Sequence, residues 1–221
     1  MSDAPAEEAA EVLDEHLLCS ACTTLLASDD GYVAELAYRG DAVAMLDDLG
    51  LIEDASEGVT SLCTLSKNIA RERICRFAAS ALWLAHSSKR VPGCDVGDRY
   101  AADLRSYLRG RGPFPEHLYL VLVVHLPAPS GGNVIATQTH APRSARQRGY
   151  YSHMFANRGL QFVFTAGRES PEPQRVLCLH CGRRPYVLAT GEDNMLGGLQ
   201  ERAEGVKPTR KLARWLTIGG G

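Results

Sequence analysis

Residues 118–126 read LYLVLVVHL, the strongest apolar run in the chain. A membrane-crossing helix needs about 20 apolar residues, so this run is too short, and His125 interrupts it. Val and Leu predominate over a strand-sized length. His117–Leu126 therefore reads as a buried central strand.

Downstream of it the pattern stays strand-like. Val134–Thr139 reads as a strand, and so does Leu160–Thr165 (LQFVFT), where Phe162 and Phe164 alternate with Gln161 and Val163 and belong to the core. Arg175–Leu179 and Tyr186–Ala189 are expected to form a hairpin around Cys178-Leu179-His180-Cys181. Asp193–Ala203 reads as a weak helix because of Gly197-Gly198, and Pro208–Leu216 as a basic amphipathic helix.

Upstream the pattern is mainly helical. Glu7–Leu18 is rich in helix formers. Asp29-Asp30-Gly31 signals a turn, and Tyr32–Tyr38 alternates as a strand would. Asp41 caps a short helix, Ala42–Leu49, closed by Gly50. Leu62, Leu65, Ile69, Ile74, Phe77, Ala78, Ala81 and Leu82 recur at three- and four-residue steps, which predicts one long helix over Thr60–Ser87. A second helix, Arg99–Arg109, is capped by Asp98 and ended by Gly110.

The expected fold class is thus α+β. An acidic, mainly helical part spans 1–112, and a basic, mainly antiparallel sheet part spans 113–221. The 221 residues, 45% hydrophobic and 23% charged, suit one sizeable globular domain or one with a small appendage.

Two Cys-x-x-Cys pairs supply the clearest chemistry. Cys19-Ser20-Ala21-Cys22 lies near the start and Cys178-Leu179-His180-Cys181 near the end. Two intervening residues let a tight turn aim both sulfurs at one ion, and four thiolates suit a structural Zn²⁺. Gly182 supplies the positive φ that such a knuckle needs. Cys19, Cys22, Cys178 and Cys181 are therefore the expected ligands of one structural zinc, a zinc-ribbon-like clasp joining the two ends of the chain.

The spacing is unusual for that motif. In a ribbon about 15–20 residues separate the pairs, whereas 155 lie between Cys22 and Cys178. A whole subdomain would be inserted between the knuckles, or the pairs are unrelated. Alternatively His180 or His16 replaces one thiolate, or the cysteines are small buried apolar residues. Neither pair opens a helix after a strand in a βαβ unit, which disfavours a redox dithiol. Cys63 and Cys75, twelve residues apart, read as core, and Cys94 as a loop bystander.

No basic n-region or apolar h-region is visible near the start, so an intracellular, nuclear or cytoplasmic, protein without a membrane anchor is expected. The seven cysteines cannot all pair within one chain.

The net charge of −2 conceals a strong split. Residues 1–57 hold fifteen acids and one base, Arg39, while the rest holds twenty-three bases and eleven acids, with no acid between Glu116 and Glu169. The basic part could face an anionic partner, or simply pack against the acidic part. Arg143, Arg146, Arg148 and Arg158 are interleaved with Tyr150 and Tyr151. Guanidinium forks and flat aromatic faces are how phosphates and bases are held, so these six are the expected nucleic-acid contacts. The acidic part, or the C-terminal helix with Lys207, Arg210, Lys211, Arg214 and Trp215, is the expected surface for a protein partner.

Catalytic signatures are missing. Zinc-deaminase, P-loop, dinucleotide-binding, Gly-x-Ser-x-Gly and His-Glu-x-x-His patterns do not occur. His125, His140 and His153 stand near strand or loop ends, where a catalytic metal could gather them, yet the surrounding tract has no general base. The expectation is a zinc-stabilised, non-enzymatic accessory factor that binds nucleic acid or a nucleic-acid-associated complex. Its rivals are an interaction adaptor without nucleic-acid contact and a metal-dependent nucleic-acid enzyme.

Overall fold

In the computed structural model, residues 20–38, 42–54, 58–88, 94–126, 151–157, 159–168, 175–182 and 185–191 are described. They run in the order α1 (Ser20–Tyr38), a 3-10 turn (Ala42–Met45), β1 (Leu46–Asp54), β2 (Gly58–Leu65), α2 (Arg71–Ser87), α3 (Asp98–Leu108), β3 (Leu118–Leu126), β4 (Tyr151–Asn157), β5 (Leu160–Ala166) and β6 (Tyr186–Gly191).

The strands form one mixed six-stranded sheet in the order β1-β2-β6-β3-β5-β4. Every pairing is antiparallel except β3 with β6. β6, the last described strand, is inserted at the centre, between β2 from the first part of the chain and β3 from the second. The class is α+β, and the sheet draws strands from both sides of residue 112.

Alternation decides which side chains meet the helices. Leu118, Leu120, Leu122, Val124 and Leu126 of β3 belong to one large core with Leu160, Phe162, Phe164 and Ala166 of β5, Val187 and Ala189 of β6, and Cys63 and Leu65 of β2. Across from them stand Ile74, Cys75, Ala78, Ala79, Leu82 and Ala85 of α2 and Leu104, Tyr107 and Leu108 of α3. These α2 positions recur at three- and four-residue steps, so they mark a single helix face. The other face of the sheet buries Leu62, Val121 and Leu177, with Val123, Val163, Tyr186 and Leu188 packed beside them. Phe162 and Phe164 are fully buried, and each contributes about 2–3 kcal/mol relative to an exposed ring.

The central strand, the helix expected over Arg99–Arg109 and the strand at Leu160 form where the sequence places them, except that Asp98 is the helix's first residue and Gly97, not Asp98, is its N-cap. Five other segments depart from expectation. Asp29–Gly31 does not turn, and Tyr32–Tyr38 is not a strand; α1 runs through both. The Asp29 carboxylate is buried and paired with Arg73 (3.1 Å) and Arg76 (3.0 Å) of α2, which removes its preference for a solvated turn. Ala42–Leu49 is not a helix but a 3-10 turn that passes into β1, with a register shift between Asp47 and Gly50.

The helix expected over Thr60–Ser87 is split. Its first part is β2, held between β1 and β6; residues 66–70 turn, and α2 starts at Arg71. Leu62 and Leu65 suit either period, and sheet pairing settled the conflict. Arg175–Leu179 does not form a strand either: Arg175 and Val176 are helical and the chain then turns. The arginine- and tyrosine-bearing tract, for which the sequence marks no strand, contains edge strand β4, joined to β5 by the two-residue connection 158–159, with Gly159 at φ 84°. The segments expected at 7–18, 134–139, 193–203 and 208–216 lie outside the described residues. Among the described residues, no helix is long and apolar enough to cross a membrane.

Candidate metal centre

The turn that feeds β6 carries Cys178, His180 and Cys181. Its geometry follows from three local hydrogen bonds and one glycine. The Cys181 N–H donates to the Cys178 carbonyl at 3.2 Å, and the Leu179 N–H donates to the Leu120 carbonyl of β3 at 2.6 Å. Arg71, the first residue of α2, donates from Nη1 to the Gly182 carbonyl at 3.1 Å. Gly182 sits at φ 75°, with open space where a Cβ would be, so backbone conformation and not crowding calls for glycine here.

The side chains converge. Cys181 Sγ donates to Cys178 Sγ at 2.7 Å, and His180 presents Nδ1 at 3.1 Å and Nε2 at 3.5 Å to the same Cys178 sulfur. One ligand atom from each residue lies within 4.8 Å of the others, a grouping that could hold a metal ion. Cys178 is buried, and His180 and Cys181 are partly so. The His180 ring stacks on Phe114 with centroids 3.8 Å apart, and Phe114 meets Tyr107 of α3 edge-on at 5.1 Å. Tyr107 in turn donates to Glu72 Oε1 of α2 at 2.6 Å. Phe114 and the groups behind it thus form a wall against one face of the imidazole.

The two sulfurs are unequal. Burial works against a thiolate at Cys178, but the hydrogen bonds from Cys181 and His180, the His180 charge and a backbone hydrogen bond from Leu120 outweigh it and bring the thiol down to about 5. At Cys181 the hydrogen bond to Cys178, burial and the Cys178 and Cys75 sulfurs push the thiol up. The pair therefore yields one proton readily and holds the second. A divalent cation supplies the charge that removes both, since thiolates are the ligating form.

The remaining expected residues fall elsewhere. Cys22 is half-buried on α1 and is not a member of this group, and Cys19 lies outside the described residues. The shared four-thiolate clasp is thus represented by one of its pairs, joined by His180. Cys63 and Cys75 are fully buried, as core residues would be, and Cys94 is buried as well. Tyr151 opens β4 and pairs with Ala166 through the backbone. Arg143, Arg146, Arg148, Tyr150 and Arg158 lie outside the described residues.

Among the described residues, His125 and His153 form no metal-ligating group. His125 Nε2 lies 2.6 Å from Gln161 Oε1, and His140 is outside the described residues. His153 is buried at 1% exposure with neither ring nitrogen hydrogen-bonded. Among the described residues the Cys178 group is the single cluster with metal-ligand geometry. No protein-family model, curated protein or solved structure matches the chain.

Proposed function

We propose that this chain is a zinc-stabilised, non-enzymatic accessory protein, with the ion held at Cys178, His180 and Cys181. The observation that carries the reading is the convergence of two sulfurs and one imidazole in a turn pinned to β3 and α2. Soft thiolates with imidazole select zinc over hard cations such as calcium or magnesium. The site lies where β6 enters the centre of the sheet, so the ion's role is structural. It fixes the turn that joins the two parts of the chain. In the zinc-ribbon form of this proposal, Cys19 and Cys22 would complete the shell with Cys178 and Cys181 in place of His180.

The test is the metal content of the purified protein by mass spectrometry. One equivalent of zinc is expected, lost in C178S and in C181S. A metal-free protein, or an equivalent that survives both substitutions, rejects the reading.

The accessory role is supported by the charge split and by the Arg–Tyr tract at 143–158. The expected partner is nucleic acid or a nucleic-acid-bound complex. Affinity for RNA or DNA should fall steeply with salt and drop further when Arg143, Arg146 and Arg148 are replaced together. Absence of binding at low salt would favour a protein-only adaptor.

A further inference from the structure

We propose that Cys75 of α2 is the fourth ligand of the ion held by Cys178, His180 and Cys181, closing a three-sulfur, one-nitrogen tetrahedron between the helix and the turn. The inference rests on the zinc reading above and names the ligand that reading leaves open.

Three ligands leave a tetrahedral zinc one position short, and in a structural site the protein fills it. The candidates nearby are few. Glu72 is engaged by the Tyr107 hydroxyl at 2.6 Å. Cys22 is outside the group. Cys63 stands on β2 opposite Val187, and Cys94 neighbours Asp95, whose carboxylate raises its thiol after burial has done so.

Cys75 is placed differently. It follows Arg71 by four residues, so the two share a face of α2, and Arg71 is the residue that grips the Gly182 carbonyl at 3.1 Å. The helix face that meets the turn is thus the face that carries Cys75. Its side chain is fully buried, and it belongs to the same core as Leu179, Val187 and Tyr107.

Electrostatic contacts run between Cys75 and both sulfurs of the turn. Burial raises the Cys75 thiol first, Glu72 adds to this, Arg71 opposes it, and Cys178 raises it further. Cys75 in turn raises Cys181. Tyr107 feels Cys75 as well, and its ring leads through Phe114 to His180. Cys75 is therefore a neighbour of the turn, on the helix whose Arg71 holds the Gly182 carbonyl. The charge balances there too. Three thiolates and a neutral imidazole on a divalent ion leave one negative charge, and the Arg71 guanidinium, which favours the thiolates of both Cys75 and Cys181, lies beside it.

The Cys75 sulfur is not within the 4.8 Å grouping. A change of χ1 rotamer carries a cysteine sulfur by about 3 Å, and that is the movement the proposed ligation calls for.

The experiment is X-ray absorption at the zinc edge on the full chain, with cobalt substitution as a second readout. The wild type should show three sulfurs at about 2.3 Å and one nitrogen. In C75A the sulfur count should fall to two, or the ion be lost, and the thiolate-to-cobalt band of any retained cobalt should fall by about one third. The C19S/C22S double variant should keep the full count of three. Should C75A fail to fold, the wild-type count and the double variant still decide the matter. A wild-type count of two, or an unchanged spectrum in C75A, overturns the assignment and leaves the zinc reading standing. Loss of sulfur in C19S/C22S also overturns it, in favour of the N-terminal pair. No metal in the wild type overturns both.

Discussion

Two of the polar contacts of helix α2 differ in character. Toward α1 it offers Arg73 and Arg76 to the buried carboxylate of Asp29, and Arg73 also donates to the Ser28 carbonyl and hydroxyl. Arg76 Nε faces Asp29 Oδ2 at 3.0 Å as a charge contact without hydrogen-bond alignment. Toward the turn before β6 it offers Arg71, which donates to the Gly182 carbonyl beside a group of two sulfurs and an imidazole. The first contact is complete in itself, since opposite charges meet. The second lies beside sulfur and nitrogen atoms that converge, a grouping that could hold a metal ion. Buried opposite charges that satisfy one another hold structure; converging sulfur and nitrogen donors are the kind of group that a soft cation binds.

That contrast can be broken first by removing the metal. Zinc binding in small sites is worth about 10–16 kcal/mol, but here a large core remains without it. A chelator should lower stability by about 3 kcal/mol, or Tm by about 10 °C, in the wild type and leave C178S unchanged. Calorimetry with and without chelator reads this directly. Equal effects on both proteins would show that the turn needs no ion.

The Asp29 contact should give way next. Its carboxylate is 5% exposed, whereas the arginine side chains are 36% and 31% exposed and regain water when unpaired. Asp29→Ala should therefore cost about 2–3 kcal/mol, below the loss for a fully buried pair. Denaturant unfolding measures it. Metal content should not change, because this contact is independent of the other; a loss of zinc in Asp29→Ala would show that the two sides of α2 are coupled.

The smallest effect is expected at His153, a buried polar group that belongs to neither type. Burial lowers its pKa below the usual 6.5, with Asp95 opposing and His86 adding to the shift. Above 6.5 the ring is neutral whether the chain is folded or not, so it contributes no pH dependence. As the pH falls below 6.5 the unfolded chain takes up a proton first, and stability is lost until the folded ring titrates as well. Unfolding midpoints from pH 7.5 to pH 5 should fall in the wild type and fall less in His153→Phe. Identical slopes would mean that His153 is hydrogen-bonded in solution.

Legibility in the sequence followed the range of the forces involved. β3 and β5 were readable because their apolar content is high and every competing local structure buries less of it. The turn at Cys178–Gly182 was readable because two-residue spacing and a positive-φ glycine are local requirements. The split of Thr60–Ser87 was not, since Leu62 and Leu65 fit both periods and only the pairing of β2 with β1 and β6 distinguishes them. The helix through Asp29-Asp30-Gly31 was hidden for a similar reason: the guanidiniums that neutralise Asp29 lie more than forty residues away.

The same division runs through the metal centre. Composition and short spacing by themselves determined an α+β chain, a sulfur-bearing turn near Cys178, a histidine within it and the glycine that closes it, because these depend on neighbours a few bonds away. Only the tertiary structure decided that β6 enters the middle of the sheet, that Phe114 stacks on His180, and that Cys75, which reads as core filling in the sequence, stands on the helix face that meets the turn. Residues distant in sequence meet only after the apolar faces of helix and sheet have been driven together, and no local pattern records that meeting.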